Sequence, residues 1–204
     1  MEELLIAAPV ASVIFVITII SSLFAFSNEN ALSQMILHPY SVSRGKRVWT
    51  IITSGLIHGD WMHLIFNMFS YFFFAFQLEI RLGHWQFGVL YIVSLILSDL
   101  PSVFKHKEDY RYYSLGASGA ISAVVFGIIL FDPMMEIQIF PIPFPIRAIL
   151  YGPLYLAYCI YASRQNRDNI NHDAHFYGAL AGIMLTLLLH PGVVREFFHG
   201  LGLS

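Results

Sequence analysis

From Leu4 to Phe26 the chain runs without one charged side chain. About 20 apolar residues carry a helix across the ~30 Å hydrocarbon core of a bilayer, so this stretch reads as a transmembrane helix. Glu2 and Glu3 stand before it in place of the basic residues of a secretory leader, and the run is too long for one, so it is expected to be retained. Similar apolar runs recur at about 61–78, 85–104, 115–131, 146–162 and 174–190, separated by short polar or proline-rich breaks. Residues 27–59 mix charges with apolar side chains and read as a long interfacial loop. The expected fold is an all-α integral membrane protein with six spans, one domain filling 1–204, and no internal repeat.

Composition narrows the function. The chain is 57% hydrophobic and 12% charged, against about 25% charged in ordinary globular chains, which excludes a freely soluble domain. Its net charge of -2, with Lys and Arg scattered, lacks the basic footprint that nucleic acid needs. Cys159 is the single cysteine, so it forms no intrachain disulfide and has no second thiol with which to share a structural zinc. No other set of converging ligands is visible, and neither a metal nor a cofactor is expected.

In a six-span chain the even-numbered helices all begin on one side of the membrane. His63 and Asn67 lie near the start of span two, Ser118 near the start of span four and His175 near the start of span six. At 1.5 Å per residue these side chains sit roughly 5 to 10 Å below the interface, at a depth water can reach.

Span four opens with Leu115-Gly116-Ala117-Ser118-Gly119-Ala120. A hydroxyl between glycines at a helix start has free backbone N–H groups beside it, suited to an oxyanion. The pattern G-x-S-G arises by chance in roughly one chain of this length in fifteen. Helix capping by Ser118 and close packing at the glycines are the structural alternatives. His175 precedes Gly178 and Gly182 by one and two helical turns, on one stripe, so it faces a packing partner and not lipid. If that partner is span four, a general base meets a nucleophile; alone, an interfacial histidine bonded to a carbonyl or water explains it as well. His63 and Asn67 are four apart on one face, as oxyanion donors or as glue between helices. Glu79, Arg81 and Asp99 suggest polar networks at helix ends, not an ion pathway.

Together, His63-x-x-x-Asn67, Gly116-Ala117-Ser118-Gly119 and Ala174-His175-x-x-Gly178-x-x-x-Gly182 resemble the rhomboid intramembrane serine proteases. The likeness covers nearly the whole chain, with further echoes in Trp49 and in Leu78-Glu79-Ile80-Arg81-Leu82-Gly83. It implies a six-transmembrane-helix rhomboid bundle that cleaves transmembrane segments of membrane-protein substrates. Ser118 would be the nucleophile and His175 the base of a dyad without a carboxylate. His63, Asn67, Gly116 and the Ser118 backbone N–H would stabilise the oxyanion.

Two positions depart from the family. Thr50 follows Trp49 where many bacterial members have arginine, and Ser122 stands four residues after Ser118 where many carry an aromatic that stacks on the histidine. Tyr177 or another aromatic is the candidate to orient His175 instead. The family implies a bacterial inner membrane, a cytoplasmic N-terminus and a site opening to the outer face. The loop Lys and Arg residues, eight on the catalytic side against three opposite, favour the reverse topology. We follow the family here, because acidic residues and the long first loop dilute that signal. A catalytically silent rhomboid-like protein that binds transmembrane helices is the rival, and a transporter would need the internal symmetry the chain lacks. The connection from Ser163 to Asp173 is a candidate cap over the site.

Overall fold

The computed structural model describes residues 2–139, 142–165 and 170–203. Its helices are α1 (Glu2–Ala7), α2 (Pro9–Ser27), α3 (Glu29–Met35), α4 (Pro39–Val42), α5 (Thr50–Thr53), α6 (Trp61–Leu82), α7 (His84–Lys105), α8 (Ser118–Phe131), α9 (Ala148–Gln165), α10 (His172–Leu189) and α11 (Val193–Gly200). Two of them, α2 and α7, are long and apolar enough to cross a membrane by themselves. The α10 and α11 axes differ by 113° across the break at Pro191, and the two pass the same test only as a bent pair.

At the centre stands α8, buried at every residue from Gly119 to Ile129. It has 14 residues, hence a length of about 21 Å. Its all-round hydrophobicity therefore reflects burial among α6, α7 and α10 more than contact with lipid. Apolar side chains instead point outward from the rim: Val13, Ile17 and Ile20 on α2, Phe66, Phe69 and Phe73 on α6, and Leu150 and Leu154 on α9 are exposed. So wide an apolar surface suits a bilayer and not water.

The first apolar run is divided at Ala8, where Pro9 opens α2; proline is tolerated in a first helical turn because its missing N–H would be unpaired anyway. The next free N–H groups are satisfied from α6. Glu79, fully buried, accepts from Val10 N at 3.1 Å and Ala11 N at 2.6 Å, and its Oε1 also meets His84 Nδ1 at 2.7 Å. A carboxylate there complements the positive end of the α2 dipole. Arg81 is exposed.

Before α9 comes a two-residue ribbon, β1 (Glu136–Ile137) against β2 (Ile146–Arg147), antiparallel with Glu136 opposite Arg147. Ile146 and Arg147 thus belong to the ribbon, and the helix starts at Ala148. The long first loop is partly helical, holding α3 to α5. It is joined to the α7–α8 connection by the Leu37–Ser114 bridge, by His38 Nε2 at 3.0 Å from the Tyr110 carbonyl, and by the Arg44–Glu108 ion pair at 2.8 Å. Arg47, at φ 57°, donates to the Ser33 and Ile36 carbonyls, and Thr50 Oγ1 donates to the Arg47 carbonyl at 2.6 Å. Thr50 and Arg47 together thus tie this loop to its own backbone.

Candidate active site

The backbones of α8 and α10 touch. A Cβ on Gly178 would lie 2.1 Å from the Gly119 carbonyl oxygen, and one on Gly182 would lie 2.2 Å from that of Ala123. Both partners advance by four residues from one contact to the next, so the two helices run parallel with their N-terminal ends side by side. Ser118 is the first residue of α8, half-buried, and His175 lies in the first turn of α10, also half-buried. Gly119 is confined from a third side by α7, where its Cβ would fall 2.2 Å from Ser98 Oγ.

Asn171 fixes the start of α10. Its Oδ1 accepts from Ala174 N at 3.0 Å, the bond of an N-cap, while its Nδ2 reaches Ser102 Oγ at 2.8 Å on α7 and Ser114 Oγ at 3.2 Å in the loop before α8. Asp173 accepts from Lys105 Nζ at 2.6 Å and from the Ser163 hydroxyl. One turn of α10 is thus tied to α7, to α9 and to the approach of α8. An Asn three residues before Ala174 is a readable N-cap signal; the partners of its amide nitrogen are not readable in the sequence. Of the candidate cap, Ser163 lies in α9 and Asp173 in α10, and residues 166–169 lie outside the described residues.

An aromatic ring does stack on His175, and it comes from α9. Tyr155 lies parallel to the imidazole, with ring centroids 6.4 Å apart and planes 11° apart. Its hydroxyl is 3.0 Å from Ser122 Oγ. Ser122, four residues after Ser118, thus anchors the ring that the chain lacks at its own position. Tyr177 is exposed and lies edge-on to Phe176.

On the other flank, Gly116 has φ 115°, a backbone conformation that favours glycine. A Cβ there would also fall 2.7 Å from His63 Nε2, so the imidazole lies directly against the turn before Ser118. Gly116 N donates to the Ser54 carbonyl at 2.9 Å, and the Ser54 hydroxyl meets Asp99 Oδ2 at 3.4 Å, so Asp99 serves the first loop. Asn67 is buried, and its Nδ2 donates to the His63 carbonyl at 2.9 Å. His58 lies edge-on to His63 at 4.8 Å and holds Ser22 Oγ at 2.9 Å through Nδ1. Burial, and then the nearby His63, push its pKa down to about 3, so it is neutral at ordinary pH. Ser118, His175, His63 and Gly116 therefore gather at one end of the bundle, with Asn67 one turn deeper than His63.

Comparison with known proteins places the chain in a family. The family model described as Rhomboid domain matches residues 45–192. YdcA of Bacillus subtilis (strain 168), whose name assigns it only provisionally to the rhomboid proteases, is 34% identical over 140 residues, covering 69% of this chain and 66% of YdcA. RHOMBOID-like protein 5 of Arabidopsis thaliana is 30% identical over 152 residues, 74% of this chain and 47% of that protein. Rhomboid protease GlpG of Yersinia pestis (strain Pestoides F) is 28% identical over 93 residues, 45% of this chain and 34% of GlpG. The chain thus spans from about a third to just under two thirds of these relatives. With most of its length, from the first loop through the end of α10, matched by one family model, the chain belongs to the rhomboid family.

Proposed function

We propose that this chain is an integral-membrane serine endopeptidase that cuts a peptide bond within or beside a transmembrane segment of its substrate. The observation that carries this reading is the parallel docking of α8 on α10 through Gly119 and Gly178, with Ser118 and His175 at the shared end. Ser118 Oγ attacks the carbonyl while His175 accepts its proton; His175 then protonates the leaving amine, and water releases the acyl-enzyme. His63, Asn67 and the backbone around Gly116 and Ser118 stabilise the oxyanion, where losing one donor typically costs about 2.7 to 4 kcal/mol of barrier. The chemistry requires no cofactor.

Six membrane crossings, made by α2, α6, α7, α8, α9 and α10, complete the reading. If the end of α8 meets the far surface, its length of about 21 Å leaves Ser118 about 9 Å below the near one. We orient the N-terminus to the cytoplasm of a bacterial cell and the site to the outer face. Substrates enter sideways past α9, which buries only Ala148, Gly152 and Cys159 along its length. An apolar crevice of about 170 Å³ between α8, α9 and α10, lined by Phe126, Gly152, Leu156 and Ile183 among others, lies nearer the opposite end of α8, roughly 12 Å or more along the helix from Ser118. A helical segment must unwind to expose its carbonyl, so small or helix-weakening residues near the cut are favoured.

The test is cleavage of a single-pass membrane substrate in detergent by the parent, Ser118→Ala and His175→Ala, with helical content measured for each. We expect cleavage by the parent alone, the variants losing at least about 10³-fold. Equal cleavage by folded Ser118→Ala overturns the serine mechanism. Substrate binding by all three, with cleavage by none, identifies a silent helix-binding rhomboid protein.

A further inference from the structure

Cys159 on α9 faces the first turn of α10, where His172 and His175 are three residues apart and share one side of the helix. One donor atom from each of the three residues lies within 4.8 Å of the other two. Cys159 is fully buried, His172 is 4% exposed and His175 is half-buried. The rings are walled by aromatics. Tyr158 stands edge-on to His172 at 5.5 Å, His172 edge-on to His175 at 5.9 Å, and Tyr155 lies parallel to His175.

One thiol and two imidazoles form a donor set that favours zinc and its soft neighbours over magnesium or calcium. With Zn–S near 2.3 Å and Zn–N near 2.0 to 2.1 Å, tetrahedral donors stand about 3.3 to 3.6 Å apart. Closing the cluster around such an ion takes movements on the order of 1 Å, within the reach of side-chain rotation. Three protein donors leave the fourth position for water. The fold thus supplies, from two helices, the converging ligands that the sequence did not reveal.

We propose that Cys159, His172 and His175 form a binding site for a soft divalent cation of the zinc type, and that filling it switches the protease off. The switch rests on the reading of His175 as general base; the binding site does not. The Cys159 thiol releases its proton to solvent as sulfur takes up the cation, so binding strengthens as pH rises. A nitrogen lone pair shared with the cation cannot accept the Ser118 proton, and a cation on the other ring nitrogen lowers the basicity of the imidazole.

The experiment uses the purified chain in detergent, stripped with EDTA and titrated with Co²⁺ and with Zn²⁺. The thiolate-to-cobalt absorption in the near ultraviolet is followed beside cleavage of a single-pass substrate. Cys159→Ser and His172→Asn are each compared with their own metal-free rate. We expect the parent to show the band, to lose activity over the same range of metal concentration, and to recover with EDTA. Cys159→Ser should lose the band, and both variants should need at least tenfold more Zn²⁺ for half-inhibition. No band in the parent, or equal half-inhibition in parent and both variants, overturns the site. A band without inhibition overturns the switch. A parent that never cleaves contradicts the proposed function, and the cobalt band still decides the site.

Discussion

At the scale of single residues, His175 shows how a position lost in one helix is recovered from another. Under the proposed dyad the imidazole accepts a proton and works best with its ring held in one plane, and Tyr155 lies flat against it with the hydroxyl fixed by Ser122. Aromatic pairs contribute about 0.5 to 1.5 kcal/mol beyond area burial. Tyr155→Ala is therefore expected to lower kcat about two- to tenfold with KM little changed, and Tyr155→Phe, which keeps the ring, to restore most of it. Steady-state kinetics on a transmembrane substrate check this, with the pH profile of kcat showing whether the imidazole titrates differently. Ser118, His175, His63, Asn67 and Gly116 can be picked out as candidates because each stands in a short local pattern. Tyr155 and Cys159 were not, since what matters about them is the neighbour across a helix interface.

At the scale of elements, the glycine spacing of α10 was legible and its partner was not. Helix contact through Gly178 leaves no room for a methyl group, which would come 2.1 Å from the Gly119 carbonyl. Gly178→Ala must push the two helices apart, at a cost of about 1 to 3 kcal/mol. Its Tm in detergent should fall and its proteolysis should fall further, while Leu180→Ala on the exposed face of α10 changes Tm little. Element boundaries were harder to read. Apolar periodicity does not register the break at Ala8, which Pro9 sets, or the short ribbon before α9, which backbone pairing sets. The Glu79 cap on α2 was visible only as a charge near a helix end; its partners belong to a helix far earlier in the chain.

Over the whole molecule, the first loop joins the bundle more firmly than its mixed composition suggests. His58 is one of its anchors, fully buried against Ser22 of α2 and His63 of α6. Its folded pKa, near 3, lies below the 6.5 of a free imidazole, so between these values the unfolded chain binds a proton that the folded chain refuses. Stability is then fully present above about pH 6.5 and is lost as pH falls, by up to about 1.4 kcal/mol per unit. Unfolding midpoints in detergent at pH 7.5 and 5.5 measure the drop, and a folded His58→Gln should flatten it.

The seam between α8 and α10 has a consequence for the birth of the protein. A ribosome releases α8 well before α10, and domains take shape in the order they are made. Under the proposed dyad, a nascent chain carries its nucleophile without its base. The reacting pair comes into being only when α10 slides along the glycines and Asn171 closes onto Ser102 and Ser114. On that proposal, neighbouring nascent membrane proteins are spared until α10 has docked.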